Sequence, residues 1–224
     1  MAATPAKKHI IVEAAVETVD AALAAEQAGA DRLELCADLA NGGTTPGVQL
    51  MDAVSAATRL PIQVMVRPRS GNFVYTEAEI ALMTKDIELI SAGNPSGIVT
   101  GVISSDGKLD TPAMKRLLIA ARTVPVTFHR AFDRLANPIE ALDPLIELGV
   151  TRVLTSGGPR TASEGVDSLA AMVDHSRGRI IVLAGGGVRA HNVREIIERT
   201  GVREVHARFV DSAQMKALVA AARD

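Results

Sequence analysis

PIQVMVRPRSGNFVYTEAEIALMTKDIELISAGNPSGIVTGVI, residues 61–103, holds one complete structural repeat. It opens on an apolar, β-branched run (61–67) and closes on another (97–103), and the stretch between them has helical period. Thr76, with Glu79 three residues on, fits a capping box at the start of that helix. Ile80, Met83, Ile87 and Ile90 fall on one stripe, while Glu79, Lys85, Asp86 and Glu88 occupy the opposite face. Gly93 then stands where a helix takes a left-handed stop. Strand, helix, strand with this spacing is a βαβ unit, whose two strands run parallel.

The same alternation runs outward to both ends of the chain. Strands are predicted near 9–13, 31–36, 61–67, 97–103, 124–130, 151–156, 179–184 and 203–207. Helix borders carry their own signals: Thr111 before Pro112, Asn137 before Pro138 with Glu140 behind, and Gly29, Gly149 and Gly201 just ahead of strands. GADRLEL (29–35), GVTRVLT (149–155) and GVREVHA (201–207) echo one another, each with a helix-stop glycine, an Arg and a strand. Eight units in 224 residues, about 28 residues each, predict an α/β fold, a single-domain (β/α)8 TIM barrel over 1–224 with residues 1–8 as a short N-terminal tail. A doubly wound open sheet is the alternative, and it rarely uses eight units so evenly spaced.

Composition narrows the function. Hydrophobic residues make up 47% and charged residues 22%, the balance of one globular domain rather than a disordered chain. The 24 basic and 26 acidic residues are scattered, so the basic patch that nucleic acid demands is absent. No apolar run approaches the roughly 18 to 20 residues that span a bilayer. The N-terminal MAATPAKKH is too polar for a signal-peptide core, so a cytoplasmic protein is expected. Cys36 is the only cysteine, which excludes an internal disulfide and any zinc site built on several thiolates. Four Phe, one Tyr and no Trp leave almost nothing on which bases or sugars would stack.

In a barrel, alternate strand residues face the helices or the lumen. Leu33 and Leu35 part from Arg32, Glu34 and Cys36; Val64 and Val66 from Gln63, Met65 and Arg67; Val126 and Phe128 from Thr127 and His129; Val205 from Glu204 and His206. The first strand is read as ending in Glu13. The lumen is therefore charged, and ions buried there must pair, reach water or serve a ligand. Arg32 and Glu204, early in their strands, read as a structural plug; Glu13, Glu34, Arg67, His129 and His206, nearer the C-terminal strand ends, read as a functional set. Two glycine-rich segments follow the sixth and seventh strands, Ser156-Gly157-Gly158 and Ala184-Gly185-Gly186-Gly187-Val188. Such loops either donate amides to an anion or simply turn tightly. Neither is a Walker loop or a dinucleotide fingerprint.

The strand-end segments GADRLELCADLANGGTTPG, PIQVMVRPRSGNFVY, GIVTGVISSDGKLD, VTFHRAFD, VLTSGG and LAGGGVRAHN resemble the CutC copper homeostasis proteins, in order, from about residue 9 to about 208. The resemblance implies a (β/α)8 barrel, a cytoplasmic location, a homodimer or higher homo-oligomer, and a role in copper tolerance or copper binding. Family members often carry cysteines just after the first-strand glutamate and around 73–75; here those places read Glu13-Ala14-Ala15 and Phe73-Val74-Tyr75.

Three readings of the site stand side by side. Copper(I), a soft ion, would use Cys36 with Met65, His129 or His206, although a single thiolate among carboxylates is a poor site for it. A barrel enzyme of the lyase, isomerase or hydrolase type, acting on a small polar or anionic, carbohydrate-like molecule, would use Glu13 and Glu34 as base and acid and His129 for proton transfer. Arg67 and Arg69 would clamp the anion, with Arg130, Asp133, Thr155, Ser156, Gly157, Gly185, Gly186 and His206 lining the substrate. No lysine stands at a predicted strand end, which argues against a Schiff-base aldolase. A divalent metal would take Glu13, Glu34, His129 and His206.

Overall fold

The computed structural model describes residues 9–224, so the tail expected at 1–8 lies outside the described residues. β1 (Ile11–Val16), β2 (Arg32–Leu35), β3 (Ile62–Met65), β4 (Gly97–Thr100), β5 (Val126–Phe128), β6 (Arg152–Thr155), β7 (Ile181–Ala184) and β8 (Glu204–Arg208) form a closed parallel barrel in sequence order. Closure comes from β1 pairing with β8, Glu13 opposite His206. The helices α1 (Val19–Gln27), α2 (Val48–Ala57), α3 (Glu77–Ala92), α4 (Thr111–Ala121), α5 (Pro138–Glu147), α6 (Val166–Ser176), α7 (Val193–Thr200) and α8 (Ser212–Arg223) alternate with the strands. The protein is a (β/α)8 barrel. None of these helices is long and apolar enough to cross a membrane.

The alternation read from the strands is the alternation observed. Val12, Ala14, Leu33, Leu35, Val64, Val126, Phe128, Val153 and Val205 pack outward into one apolar layer with Ile80, Met83 and Ile87 of α3 and their equivalents. Each of these side chains larger than alanine contributes about 1.5–3 kcal/mol by leaving water. At α3 both halves of the capping box form, Thr76 accepting from Glu79 N and the Glu79 carboxylate from Thr76 N. Helix stops follow expectation at Gly29, Gly149 and Gly201, all with positive φ. Gly93 stays right-handed at φ −79°, and Asn94 takes the left-handed turn instead at φ 52°. At α4 the cap lies one residue earlier than read, since Asp110 accepts from Ala113 N.

One boundary shift matters for function. β1 does not end at Glu13: it continues through Ala14, Ala15 and Val16, all buried. Glu13 therefore sits inside the barrel rather than at its rim, with Ala15 above it. Ala14 and Ala15 are weak strand signals, and the pairing that extends β1, Ala15 with Glu34 and with Arg208, is non-local.

Candidate functional site

The lumen is built in two layers. In the lower one, two arginines bridge two glutamates. Arg32 Nε donates to Glu13 Oε2 at 2.5 Å and Arg32 Nη2 to Glu204 Oε2 at 2.5 Å, while Arg152 Nε donates to the same Glu204 oxygen at 2.7 Å. Arg152 Nη1 also reaches Thr127 Oγ1. Arg32 and Glu204 thus form the expected plug. Arg152 is its unforeseen member, although Val153 facing the helices already placed Arg152 inward.

Glu13 joins this layer to the one above. Its second oxygen lies 2.8 Å from His206 Nδ1, and His206 Nε2 lies 3.9 Å from Glu34 Oε2. Burial opposes ionisation of Glu13, but the bond from His206 and the Arg32 charge hold its carboxyl down at about 2. Burial pushes Glu34 the other way, upward, with the Glu13 charge adding to the push. The two glutamates are thus pushed apart in pKa, with burial and not mutual repulsion as the main cause for Glu34. Burial disfavours the imidazolium of His206, yet Glu34 and Glu13 together raise its pKa.

Above this layer a cavity of about 770 Å³ opens at the C-terminal strand ends. Its wall includes Glu34, Arg67, His129, His206, Met65 and Phe73. Glu13 is not on that wall, so it touches a ligand only through His206. His129 is fully buried and burial, aided by the Arg67 charge, lowers its pKa to about 3. Its Nδ1 accepts from Ala131 N, which leaves Nε2 carrying the proton as a neutral donor. Among the described residues neither His129 Nε2 nor Glu34 Oε1 has a partner, although both are buried.

Arg67 is less a clamp than a brace. Its Nη1 donates to the carbonyls of Asn41, Gly42 and Gly43, and its Nη2 to Gly71 O. Its guanidinium lies 4.7 Å from the Phe73 ring centre, and that ring lies 4.8 Å from His129. Arg69 is a correction: beyond Pro68 the chain turns away, and Arg69 pairs with Glu79 at the α3 cap and with Val74 O, off the cavity.

The sixth-strand loop corrects a second expectation. Its amides already hold an internal anion: Asp133 accepts from Ser156 N, Gly158 N and the Thr155 hydroxyl, and Gly157 N donates to Thr155 Oγ1. Asp133 therefore orders this loop, while Thr155, Ser156 and Gly157 are not on the cavity wall. Gly185 N is likewise tied, to Thr155 O. Gly158, Gly186 and Gly187 do line the cavity. The loop's packing predicts that Gly165→Ala costs about 1–3 kcal/mol by overpacking. A Cβ at residue 165 would sit 1.9 Å from Ser156 O, a backbone atom that cannot swing aside. Urea denaturation checks this, and an unchanged midpoint would mean the loop yields.

Cys36 packs with Met65 and Val99 and is completely buried. Its thiol donates to Glu34 Oε2 at 3.4 Å, and burial, with the Glu34 charge next, pushes its pKa well up. That is the environment of an inert thiol. Of the four residues considered for a divalent metal, Glu13, Glu34 and His206 bring ligand atoms within 4.8 Å of one another, and His129 stays outside that group. Missed by sequence reading is the cationic ring: Arg134, Arg160, Arg189 and Arg208 join Arg67 and Arg130 on the cavity, against two carboxylates, Glu34 and Asp133.

Fold and site together define a (β/α)8 barrel protein with a polar, arginine-ringed cavity on the face where this fold carries its sites. Residues 10–211 match the profile of the CutC family. The chain belongs to the CutC family. It is 40% identical over 213 residues to a human protein named copper homeostasis protein cutC homolog, covering 94% of this chain and 78% of that one. It is 43% identical to a CutC family protein from Parabacteroides distasonis, over 88% of this chain and 81% of the relative. The crystal structure of a CutC protein from Streptococcus agalactiae superposes with a TM-score of 0.84 at 33% identity, covering 88% of this chain and 97% of that one. A phosphoribosylanthranilate isomerase from Pyrococcus furiosus, at 14% identity and TM-score 0.62, covers 96% of this chain and 98% of its own and shares the fold alone.

Proposed function

We propose that this chain serves copper homeostasis, the role its relatives' names state for them, and that it acts there through the mouth cavity by binding a small polar or anionic molecule and moving a proton on it. The observation that carries this reading is the pair Glu34 Oε1 and His129 Nε2, buried without partners on the wall of an arginine-ringed cavity. A buried polar atom left unsatisfied costs about 1–3 kcal/mol, a cost a ligand would relieve. Glu34, biased toward its protonated form, supplies an acid. His206, fixed by Glu13, supplies or accepts the second proton, and the neutral N–H of His129 stabilises a developing oxyanion. This division suits a lyase, isomerase or hydrolase.

A second reading has its own support. Copper as cargo, in its divalent form, would find nitrogen and oxygen donors in Glu13, Glu34 and His206. Copper(I) would have to use Cys36, whose thiol is held protonated in the core. An anaerobic copper(I) competition titration on wild type and Cys36→Ser, a copper(II) titration on wild type and Glu34→Gln, and a thermal-shift screen of small anions on all three separate these cases. The expected result is weak copper(I) binding indifferent to Cys36→Ser, weak copper(II) binding, and a small anion that stabilises wild type but is not turned over by Glu34→Gln. Stoichiometric copper(I) binding that vanishes in Cys36→Ser would replace the proposal with a thiolate copper centre; tight copper(II) binding lost in Glu34→Gln would replace it with a carboxylate–imidazole one.

A further inference from the structure

The loop after β7 differs from the β6 loop in leaving two amides on the cavity wall unoccupied among the described residues. Gly186 and Gly187, after β7, have successive positive φ values of 96° and 72°. Their carbonyls are tied back, Gly186 O accepting from Ala162 N and Gly187 O from Asn192 Nδ2. In a trans peptide the N–H points opposite to the C=O, so the Gly187 amide is turned away from Ala162. Among the described residues nothing accepts from the amides of Gly186 or Gly187. This is the reverse of the β6 loop, whose amides already enclose Asp133.

Arg130 lies against this loop, and Arg160 and Arg189 line the same cavity. The Cβ position of Gly186 lies 3.2 Å from the Arg130 guanidinium, so any side chain there would press on that group. Arg130 is aimed by its own ties, Nε to Asp133 and Nη2 to Ser156 Oγ, which leave Nη1 without a partner among the described residues. Arg189 Nη1 is fixed on Val188 O, and the exposed Arg160 makes no ion pair among the described residues.

We propose that the Gly186–Gly187 amides with Arg130, Arg160 and Arg189 form a seat for a phosphate monoester, so that the cavity takes a small phosphorylated polyol whose unphosphorylated end reaches Glu34 and His129. Positive-φ glycines presenting adjacent amides make an anion-binding concavity, and guanidinium groups match phosphate oxygens in pairs. The seat also lies late in the barrel, where this fold tends to bind phosphate. The inference rests on reading the cavity as a small-molecule site.

Calorimetric titrations with inorganic phosphate, ribose 5-phosphate and ribose on wild type, Arg189→Gln, Arg160→Gln and Glu34→Gln test it. Ribose 5-phosphate is expected to bind at least 100-fold more tightly than ribose, with phosphate alone detectable. Each arginine variant is expected to weaken inorganic phosphate and ribose 5-phosphate at least tenfold, and Glu34→Gln is expected to leave inorganic phosphate binding intact. Equal binding of ribose and ribose 5-phosphate, or phosphate affinity unchanged in both arginine variants, overturns the seat. Phosphate bound normally by a protein that turns over no phosphorylated polyol keeps the seat and sinks the acid–base reading. Turnover of an unphosphorylated acid that depends on Glu34 does the opposite.

Discussion

Glu13→Ala is expected to remove about 3–5 kcal/mol of stability, the loss typical of breaking a buried ion pair from one side. Glu13 is 1% exposed, and it binds two partners at once, the Arg32 guanidinium through Oε2 and the His206 imidazole through Oε1. Without it Arg32 faces only Glu204, which already holds Arg152. His206 loses one of the two carboxylates that raise its pKa, so its titration should move down in the variant. The double variant Glu13→Leu with Arg32→Met is expected to be more stable than Glu13→Ala, because no charge is left stranded.

Acid adds an independent check. The folded-state pKa of Glu13, about 2, lies below its ordinary 4.5. The stability it contributes is therefore fully present above about 4.5 and lost as pH falls from there toward about 2. Urea denaturation across that window should show wild type declining and Glu13→Ala missing this part of the decline. A Glu13→Ala protein within 1 kcal/mol of wild type at neutral pH would mean that water, not ion pairing, satisfies the lower lumen.

How far residues could be read before the fold was known depends on whether their fate is local. Leu33 and Leu35 against Arg32 and Glu34 is a local alternation, and it survives intact in the barrel. Arg152 was equally legible by that rule, and three inward carboxylates already called for a cation beyond Arg32. The end of β1 was not, because Ala14 and Ala15 carry little strand signal and the bonds that extend the strand come from β2 and β8. Nor were the amides of the β6 loop, occupied by Asp133 from the turn after β5. A glycine-rich run looks the same whether its amides hold an internal carboxylate or await an external anion. The distinction between the two loops exists only in tertiary structure.

Arg67→Met is expected to abolish ligand binding at the mouth, by at least 100-fold, and to cost about 2–4 kcal/mol of stability, because the carbonyls it satisfies would lose charge-assisted hydrogen bonds. Those carbonyls belong to two segments, 41–43 after β2 and Gly71 after β3, and the arginine is what holds both against the cavity. Phe73 packs on the same guanidinium and His129 on Phe73, so the position of the His129 N–H depends on it too. A clamp would behave differently: its removal would weaken anionic ligands selectively and leave the loops in place. As a brace, Arg67 should when replaced weaken ribose and ribose 5-phosphate by the same factor and expose 41–43 and 70–72 to proteolysis. Arg67→Lys should rescue little, since one ammonium cannot span both segments as the planar fork does. Selective loss of phosphorylated ligand, with the loops still resistant to protease, would return Arg67 to the role of a direct anion ligand and leave Nε, its one nitrogen without a partner among the described residues, as the contact.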